Sequence, residues 1–468
     1  MRRYIFIILF VVVLASPMLL RELLGKSVAP HTAGPDDTLV IITAHNEGIR
    51  REFAQAFSAW RMQKYGKPAD VDYRFFGGSD IVKFFDDTKK ANQPYKIDLA
   101  WGGGDFLFDV QLKKPGYLQP VELPADVMQA AFPKPDIGGV PLYDTGHPPA
   151  WFGAALSSFG ILYNKDVLRY LQLHEPTTWA NLADYKYRGW IITADPTRSA
   201  SAKTAFMIIT ERAMADAAQA GLSEDAGWAN GMGTIRLICS NARIFVSSSE
   251  AVPGIIASGD GAAGMCIDFF ARSQVDAIGE QRLGYVEPVG ATAVNSDPIA
   301  LVKDAPHPEL AKQFIEFVLS PQGQHLWNAR PTTTGGPKET ALRRLPIARS
   351  AYDNAADFTD KVNPYRTAGS FNKSTKREAT FPILGELIEF SCMDPLDDLR
   401  AARAAIEHSP RATELRVKLG HFPFDQKEAL RRLKAWNNAP PAEQLRLQRQ
   451  WTNDFREEYR QLREEAGE

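Results

Sequence analysis

Four polar residues, Thr197, Arg198, Ser199 and Ser201, lie where a predicted strand passes into a predicted helix. A helix N-terminus offers free N–H groups and the positive end of the helix dipole, and an adjacent Arg adds a bidentate donor. These residues are therefore candidate ligands for a phosphate, a phosphonate or a carboxylate. The alternative is that Ser199 only caps its own helix.

A second site of the same kind is predicted at Gly78 and Ser79, which precede a predicted helix over residues 81–85. We expect it to face the first site from the other half of the molecule. The same alternative holds here, since Ser79 is a suitable N-cap.

His45 follows the apolar run 39–44, and Trp101 ends the apolar run 97–101. Open α/β sheets bind ligands at the carboxyl ends of their strands. His45 is therefore predicted to contact a ligand, with a surface position or a structural hydrogen bond as alternatives. Trp101 is predicted either to stack on the ligand or to pack in the core.

Residues 259–264 match the GxGxxG pattern of dinucleotide-binding proteins. That motif requires a strand before it and a helix after it, and here the predicted order is reversed, so we predict a turn. Walker A, HExxH and GxSxG motifs are absent from the sequence. We predict no enzymatic activity and no cofactor.

The composition is that of a folded protein with two or three domains, with 468 residues of which 44% are hydrophobic. The 54 Lys and Arg nearly balance the 56 Asp and Glu, which gives no electrostatic reason to expect a nucleic-acid partner. Cys239, Cys266 and Cys392 are odd in number and widely spaced. We interpret them as small buried apolar side chains, although an oxidising compartment would permit one bridge.

The N-terminus has the features of an export signal, because Arg2 and Arg3 precede an apolar segment over residues 5–20. Ala15 ends the nearest cleavage triplet. A cleaved signal peptide and an uncleaved membrane anchor over residues 1–25 both remain open. We expect the body to be periplasmic or otherwise extracytoplasmic, behind a linker at 26–37.

Alternating strand and helix patterns predict an α/β fold with parallel sheets in two lobes. We assign residues 38–150 and 290–340 to lobe 1, and residues 151–289 to lobe 2. Residues 341–468 are rich in Arg and Glu and are predicted to form a mostly helical extension.

Several strings in this order resemble the periplasmic ferric-binding and related solute-binding proteins of ABC transporters, over roughly residues 38–340. They are Ile42-Thr43-Ala44-His45-Asn46-Glu47, Phe76-Gly77-Gly78-Ser79, Ile97-Asp98-Leu99-Ala100-Trp101, Gly160-Ile161-Leu162-Tyr163-Asn164-Lys165 and Pro176-Thr177-Thr178-Trp179, with 194–199 and 311–324 further on. The resemblance implies the type II two-lobed fold, hinge closure on a ligand and docking to a membrane permease.

In iron-binding members of this family, a His from the first strand–helix loop, an acidic residue after an early strand and two adjacent tyrosines bind the metal. Here His45 fits the first position, with Asn46 beside it, and Asp105 follows Gly103 near the second. Where the tyrosine pair is expected, the sequence has Asp268-Phe269-Phe270. Phe offers no anionic oxygen for Fe(III), so we expect an organic anion as the ligand. A degenerate iron site of His45, Asp105 and Asp268, a membrane-anchored sensor and an exported enzyme remain alternatives.

Overall fold

The computed structural model describes residues 37–367 and 377–468. The predicted signal or anchor segment and all but the last residue of the predicted linker lie outside these residues. Within the described ranges, no helix combines the length and the apolar composition that a membrane span requires.

The described strands are Thr38–Thr43 (β1), Asp70–Phe75 (β2), Leu99–Trp101 (β3), Asp136–Ile137 (β4), Val140–Pro141 (β5), Phe152–Ser157 (β6), Phe159–Asn164 (β7), Ile191–Ala194 (β8), Ala242–Val246 (β9), Ala263–Ile267 (β10), Leu283–Val286 (β11), Asn295–Leu301 (β12) and Leu345–Pro346 (β13). The described α-helices are Glu47–Tyr65 (α1), Gly78–Lys90 (α2), Ala125–Ala131 (α3), Lys165–Tyr170 (α4), Ala200–Gln219 (α5), Glu224–Ser240 (α6), Ala251–Ala257 (α7), Asp268–Ile278 (α8), Pro308–Leu319 (α9), Pro321–Leu326 (α10), Pro364–Thr367 (α11), Arg377–Ile388 (α12), Leu396–His408 (α13), Ala412–Leu419 (α14), Gln426–Asn437 (α15) and Pro441–Ala466 (α16).

The first sheet has the strand order β13-β6-β12-β3-β1-β2 and forms the centre of lobe 1. β1 pairs in parallel with β2 and β3. β12 runs antiparallel to β3 and β6, and β13 antiparallel to β6. The prediction of parallel pairing is therefore wrong for three of the five strand pairings, because β12 returns from the other lobe antiparallel to both of its neighbours and β13 is antiparallel to β6.

The second sheet has the order β11-β7-β10-β8-β9 and forms the centre of lobe 2. β8 is parallel to β9 and β10, whereas β7 is antiparallel to β10 and β11. The apolar run 265–270 predicts a strand that is too long, because β10 ends at Ile267 and α8 begins at Asp268. Residues 258–262 connect α7 to β10, so the GxGxxG string forms the end of a helix-to-strand turn and the start of the strand, as its reversed order predicts.

Two neighbouring segments connect the lobes. β6 passes directly into β7 through Ser158, and β12 returns beside it with Asn295 opposite Ser157. The Thr292 hydroxyl donates to the Phe159 carbonyl at 2.6 Å, which ties the returning segment to the outgoing one. Both crossings therefore lie side by side, as a hinge requires.

The first strand and helix form where local chemistry favours them. The β-branched residues of β1 suit a buried strand, and Ile41 and Ile42 are fully buried. The Asn46 side chain then accepts the N–H of Ile49 at 3.1 Å and caps α1. The short turn between β1 and α1 carries His45.

The C-terminal helices share a core with lobe 2. Trp228 of α6 belongs to the same buried cluster as Leu415 of α14 and Tyr459 of α16. The last helix packs an apolar face inward, with Phe455, Tyr459 and Leu462 buried. β13 instead joins the first sheet, so the segment predicted as an extension contacts both lobes.

Candidate ligand-binding site

Asp297 is the centre of the polar network where the two lobes meet. Its Oδ1 accepts the N–H of Gly103 at 2.8 Å and the N–H of Gly104 at 3.1 Å. The turn after β3 can present both groups because Gly102, Gly103 and Gly104 have φ values of +81°, +113° and +90°. The backbone N–H of Gly103, a candidate ligand contact, therefore already donates to a carboxylate of the protein itself.

Arg344 links Asp297 to the second lobe. Its Nη2 donates to Asp297 Oδ2 at 2.6 Å, and its guanidinium carbon lies 4.5 Å from the centre of the Phe269 ring. The Arg344 side chain is only 3% exposed, and its Nε has no hydrogen-bond partner among the described residues. A buried donor therefore remains unused at the junction.

His45 lies on the other side of Asp297, with Nδ1 at 3.9 Å from Oδ2. Burial lowers the pKa of the imidazole to about 4; the Asp297 charge opposes the shift, and the charges of Arg344 and Arg50 add to it. The ring is therefore neutral at physiological pH. Its buried Nε2 faces Gly102 and has no hydrogen-bond partner in the described part of the chain.

The side chains of Trp101 and Asn46 have structural contacts. Trp101 is fully buried, and its ring contacts those of His45, Phe53 and Trp327 at centroid distances of 4.5–5.7 Å. Of its two predicted roles, the structure favours packing. Asn46 serves as the N-cap of α1, so its side-chain oxygen is already in use.

Asp268 and Phe269 form the first turn of α8, where β10 directs them towards lobe 1. Burial raises the pKa of Asp268 to about 6, even though Arg272 and the N–H of Phe269 stabilise its charged form. Arg272 also binds Glu287 at 2.6 Å, and Glu287 accepts the Ser158 hydroxyl at 2.7 Å. This chain of contacts connects the start of α8 to the crossing between the lobes.

The structure does not bring His45, Asp105 and Asp268 together as a metal centre. Asp268 Oδ2 lies 3.4 Å from Arg272, and Asp105 Oδ1 accepts the adjacent N–H of Phe106. Across residues 37–367 and 377–468, no group of three or more His, Cys, Asp or Glu side chains is placed to hold a metal ion.

The predicted anion site at the start of α5 uses most of its polar groups internally. Ser199 accepts the N–H of Ala202 at 3.2 Å, which makes it the N-cap of α5. The N–H and hydroxyl of Thr197 both donate to Asp195 Oδ1, at 2.8 and 2.6 Å. Arg198 is exposed and Ser201 is half-buried, so these two remain available.

At the other predicted helix N-terminus, α2 already begins at Gly78, and Gly77 is the N-cap. The backbone of Ser79 therefore lies in the first turn and not at the cap. Its side chain is outside the described part of the structure.

Helix α12 of the extension lies over the start of α5. The ring centroids of Phe381 and of Phe106 in lobe 1 are 4.6 Å apart. The Nζ of Lys203 in lobe 2 lies 5.6 Å from the centroid of the same Phe381 ring. The fit is close at Gly385, where a Cβ would come within 2.8 Å of the Pro196 carbonyl oxygen. One side chain of the extension thus touches both lobes beside the predicted anion site.

Sequence reasoning missed Asp297, Arg344 and Phe381. Asp297 lies beside Pro298 at an irregularity in β12, and a Pro inside a strand was a usable signal of such a bulge. Arg344 and Phe381 carry no local signature, because their contacts are with residues distant in sequence. A separate cavity of about 310 Å³, lined by Phe390, Trp451 and Phe455 among others, lies within the extension and contains none of the predicted ligand residues.

Residues 110–344 match the sequence pattern of the bacterial extracellular solute-binding protein family. A curated relative, the phosphoglycerate transport regulatory protein PgtC of Salmonella typhimurium, is 27% identical over 280 residues. That match covers 57% of this chain and 65% of the relative, so the chain spans less than two thirds of its length.

Solved structures of periplasmic binding proteins have the same fold. AfuA from Actinobacillus pleuropneumoniae, with fructose-6-phosphate bound, aligns with a TM-score of 0.55 at 19% identity, over 76% of this chain and 98% of that one. The apo ferric ion-binding protein A of Pasteurella haemolytica aligns with a TM-score of 0.54 at 12% identity, over 75% and 97%. These similarities establish the two-lobed type II fold predicted from the sequence.

Proposed function

Because the chain belongs to the bacterial extracellular solute-binding protein family, we propose that it captures a small organic anion outside the cytoplasm for an ABC importer. The solute binds between the lobes, next to Arg344 and Phe269. No bond in the solute is made or broken, and closure of the lobes is the productive event.

The observation that carries this proposal is a group of buried cationic or polar donors without acceptors. The Nε atoms of Arg344 and Arg50 and the Nε2 of His45 have no hydrogen-bond partner among the described residues. A buried donor without an acceptor costs roughly 1–3 kcal/mol. The charges of both arginines lower the pKa of His45, so each arginine is within electrostatic range of this imidazole. A carboxylate or phosphate supplies the acceptors that this group lacks.

Asp297 fits this role as an internal counter-ion. It holds Arg344 by one oxygen and the glycine turn by the other. An incoming anion competes for the same donors, so binding redistributes hydrogen bonds that already exist. Arg344 contacts both lobes, and such redistribution is coupled to the distance between them.

The relative's name gives independent support for the ligand class. Phosphoglycerate carries both a phosphate and a carboxylate, and the relative is a phosphoglycerate transport regulatory protein. For this chain we propose the class of phosphorylated or carboxylated solutes, including phosphonates and phosphosugars. The alternative of Fe(III) as cargo gains no support from the described carboxylates, which are bound to Arg272 and to backbone N–H groups.

The test is a thermal-shift and calorimetric screen of the protein against phosphonates, phosphosugars, carboxylates and ferric salts. We expect stabilisation by at least one anion, lost in Arg344→Gln and kept in Arg343→Gln. Arg343 is the matched control because it pairs with Asp276 and Asp360 rather than with Asp297. If no anion stabilises the protein, or if Fe(III) does so through His45, the proposal fails.

A second candidate function is ligand sensing for a membrane partner other than a permease. The name of the relative favours it, since that protein is described as regulatory. The two functions differ in a deletion strain. In that strain, the transporter is expressed from a constitutive promoter and solute uptake is measured. If uptake is still lost, the protein is an importer subunit. If uptake is restored, the protein is a sensor.

A further inference from the structure

The cysteines on α6 and on the turn after α12 are neighbours in the structure although they are far apart in sequence. Cys239 lies in the last turn of α6, and Cys392 lies in the π-helical turn Glu389–Met393. Both side chains are fully buried in the same core cluster, where α6 packs against the π-helical turn, and both thiols are free in this structure. Cys266 is separate, in β10 opposite Gly160 of β7.

The surroundings hold this pair in place. The Ser391 hydroxyl lies 3.3 Å from the Cys392 sulfur, and the Tyr459 hydroxyl donates a hydrogen bond to the Ser391 carbonyl. One turn before Cys239, the fully buried Arg236 binds Glu458 at 2.8 Å and the His421 carbonyl at 3.0 Å. The elements that carry the two cysteines are thus fixed against each other by polar contacts from α16.

We propose that Cys239 and Cys392 are joined by a disulfide bond in the exported protein. Proteins outside the cytoplasm meet oxidants that form such bonds. The bond would tie the C-terminal extension covalently to lobe 2. It would close a loop of about 150 residues, the kind of long loop for which a cross-link restricts the unfolded chain most.

The reaction is a thiol–disulfide exchange with a donor disulfide, either a protein oxidase or a small disulfide such as that of glutathione. Because both thiols are fully buried in the folded chain, the exchange takes place during folding, before the extension packs onto lobe 2. Cys392 attacks one donor sulfur, breaks the donor S–S bond and releases a first donor thiol. Cys239 then loses its proton and attacks the Cys392 sulfur, which forms the new bond and releases the second donor thiol. Two protein thiols are oxidised and one donor disulfide is reduced to two thiols.

Mass spectrometry of the full exported chain tests the proposal. The protein is denatured without reductant, treated with N-ethylmaleimide and digested. We expect one alkylated cysteine, Cys266, and a linked peptide containing Cys239 and Cys392 that disappears with dithiothreitol. Three alkylated cysteines, or a bond that involves Cys266, would overturn the proposal.

Two variants control the experiment. Cys266→Ala should keep the linked peptide, and Cys239→Ala should show free Cys266 and Cys392. Dithiothreitol should lower the melting temperature of the wild type by several degrees and leave that of Cys239→Ala unchanged. If the Cys239 variant does not fold, the peptide map of the wild type and of Cys266→Ala still decides the question.

Discussion

Arg344 binds Asp297 with an Nη2–Oδ2 distance of 2.6 Å, and their side chains are 3% and 13% exposed. The two residues come from different segments of the chain, and the pair sits where lobe 1 meets the Phe269 ring of lobe 2. An ion pair in this position fixes the local geometry of both lobes, since little water reaches either charge to replace its partner.

Arg344→Met should therefore destabilise the protein by roughly 3–5 kcal/mol, because it leaves a buried carboxylate without its charge partner. Urea denaturation measures the loss. The double variant Arg344→Met with Asp297→Asn should lose less than the sum of the two single variants. Additive losses would mean that the pair contributes no coupling.

His45 and Asp268 should give opposite pH dependences that largely cancel in the wild type. His45 has a folded pKa of about 4 against 6.5 in the unfolded chain, so its contribution to stability rises with pH between about 4 and 6.5. Asp268 has a folded pKa of about 6 against 3.8, so its contribution falls with pH between about 4 and 6. Each effect is on the order of 3 kcal/mol.

Variants separate these two effects. Relative to the wild type, His45→Asn should become less stable as the pH rises from 4 to 6, and Asp268→Asn more stable. The measurement is the free energy of unfolding across that range, taken from denaturant titrations. Parallel curves for all three proteins would contradict both assignments.

Gly102 and Gly104 provide a matched pair for the turn after β3. Both have positive φ, so alanine at either position is strained by about 1–3 kcal/mol. A Cβ on Gly102 would also lie 2.8 Å from His45 Nε2, whereas nothing lies within 4 Å of one on Gly104. Gly102→Ala should cost more stability than Gly104→Ala and should shift the His45 ring signals in NMR spectra. Equal losses, with unchanged His45 signals, would show that the contact is unimportant.

Phe381 should slow the release of a bound solute, because it contacts Phe106 of lobe 1 and Lys203 of lobe 2 at once. In stopped-flow measurements, Phe381→Ala and Phe106→Ala should both raise the dissociation rate several-fold. Phe422→Ala is the control, since Phe422 is also buried in the extension, at 1% exposure against 7% for Phe381, but packs on Phe424 and Phe455 instead. A similar increase in the control would indicate general loosening of the extension.

The sequence was informative where structure is determined locally. The apolar runs 39–44, 190–194 and 242–246 predict β1, β8 and β9 to within one residue at each end, because an apolar segment between turn formers has few alternatives to a strand. The helix predicted over 201–220 matches α5 equally well, and Ser199 is its cap, as one of the two alternatives predicted. The sequence-pattern match and the structural similarities confirm the predicted family and fold.

The prediction failed where structure depends on contacts between distant segments. Asp297 and Arg344 are ordinary charged residues until β12 and the segment before β13 place them side by side. The direction of β12 likewise follows from the path of the chain between lobes, which no local pattern records. The predicted ligand list therefore includes His45 and Gly103, which lie beside Asp297, but omits Asp297 and Arg344 themselves.

At Gly233 of α6, an added Cβ would lie 1.6 Å from the carbonyl oxygen of Gly420. The backbones of α6 and of Gly420, which follows α14, are therefore in direct contact beside the buried cluster that contains Trp228 and Tyr459. A shortened protein that stops near residue 340 would expose the lobe 2 part of this cluster to solvent as an aggregation-prone apolar surface. Anyone preparing this protein for crystallisation or biosensor work should therefore keep the chain whole through α16.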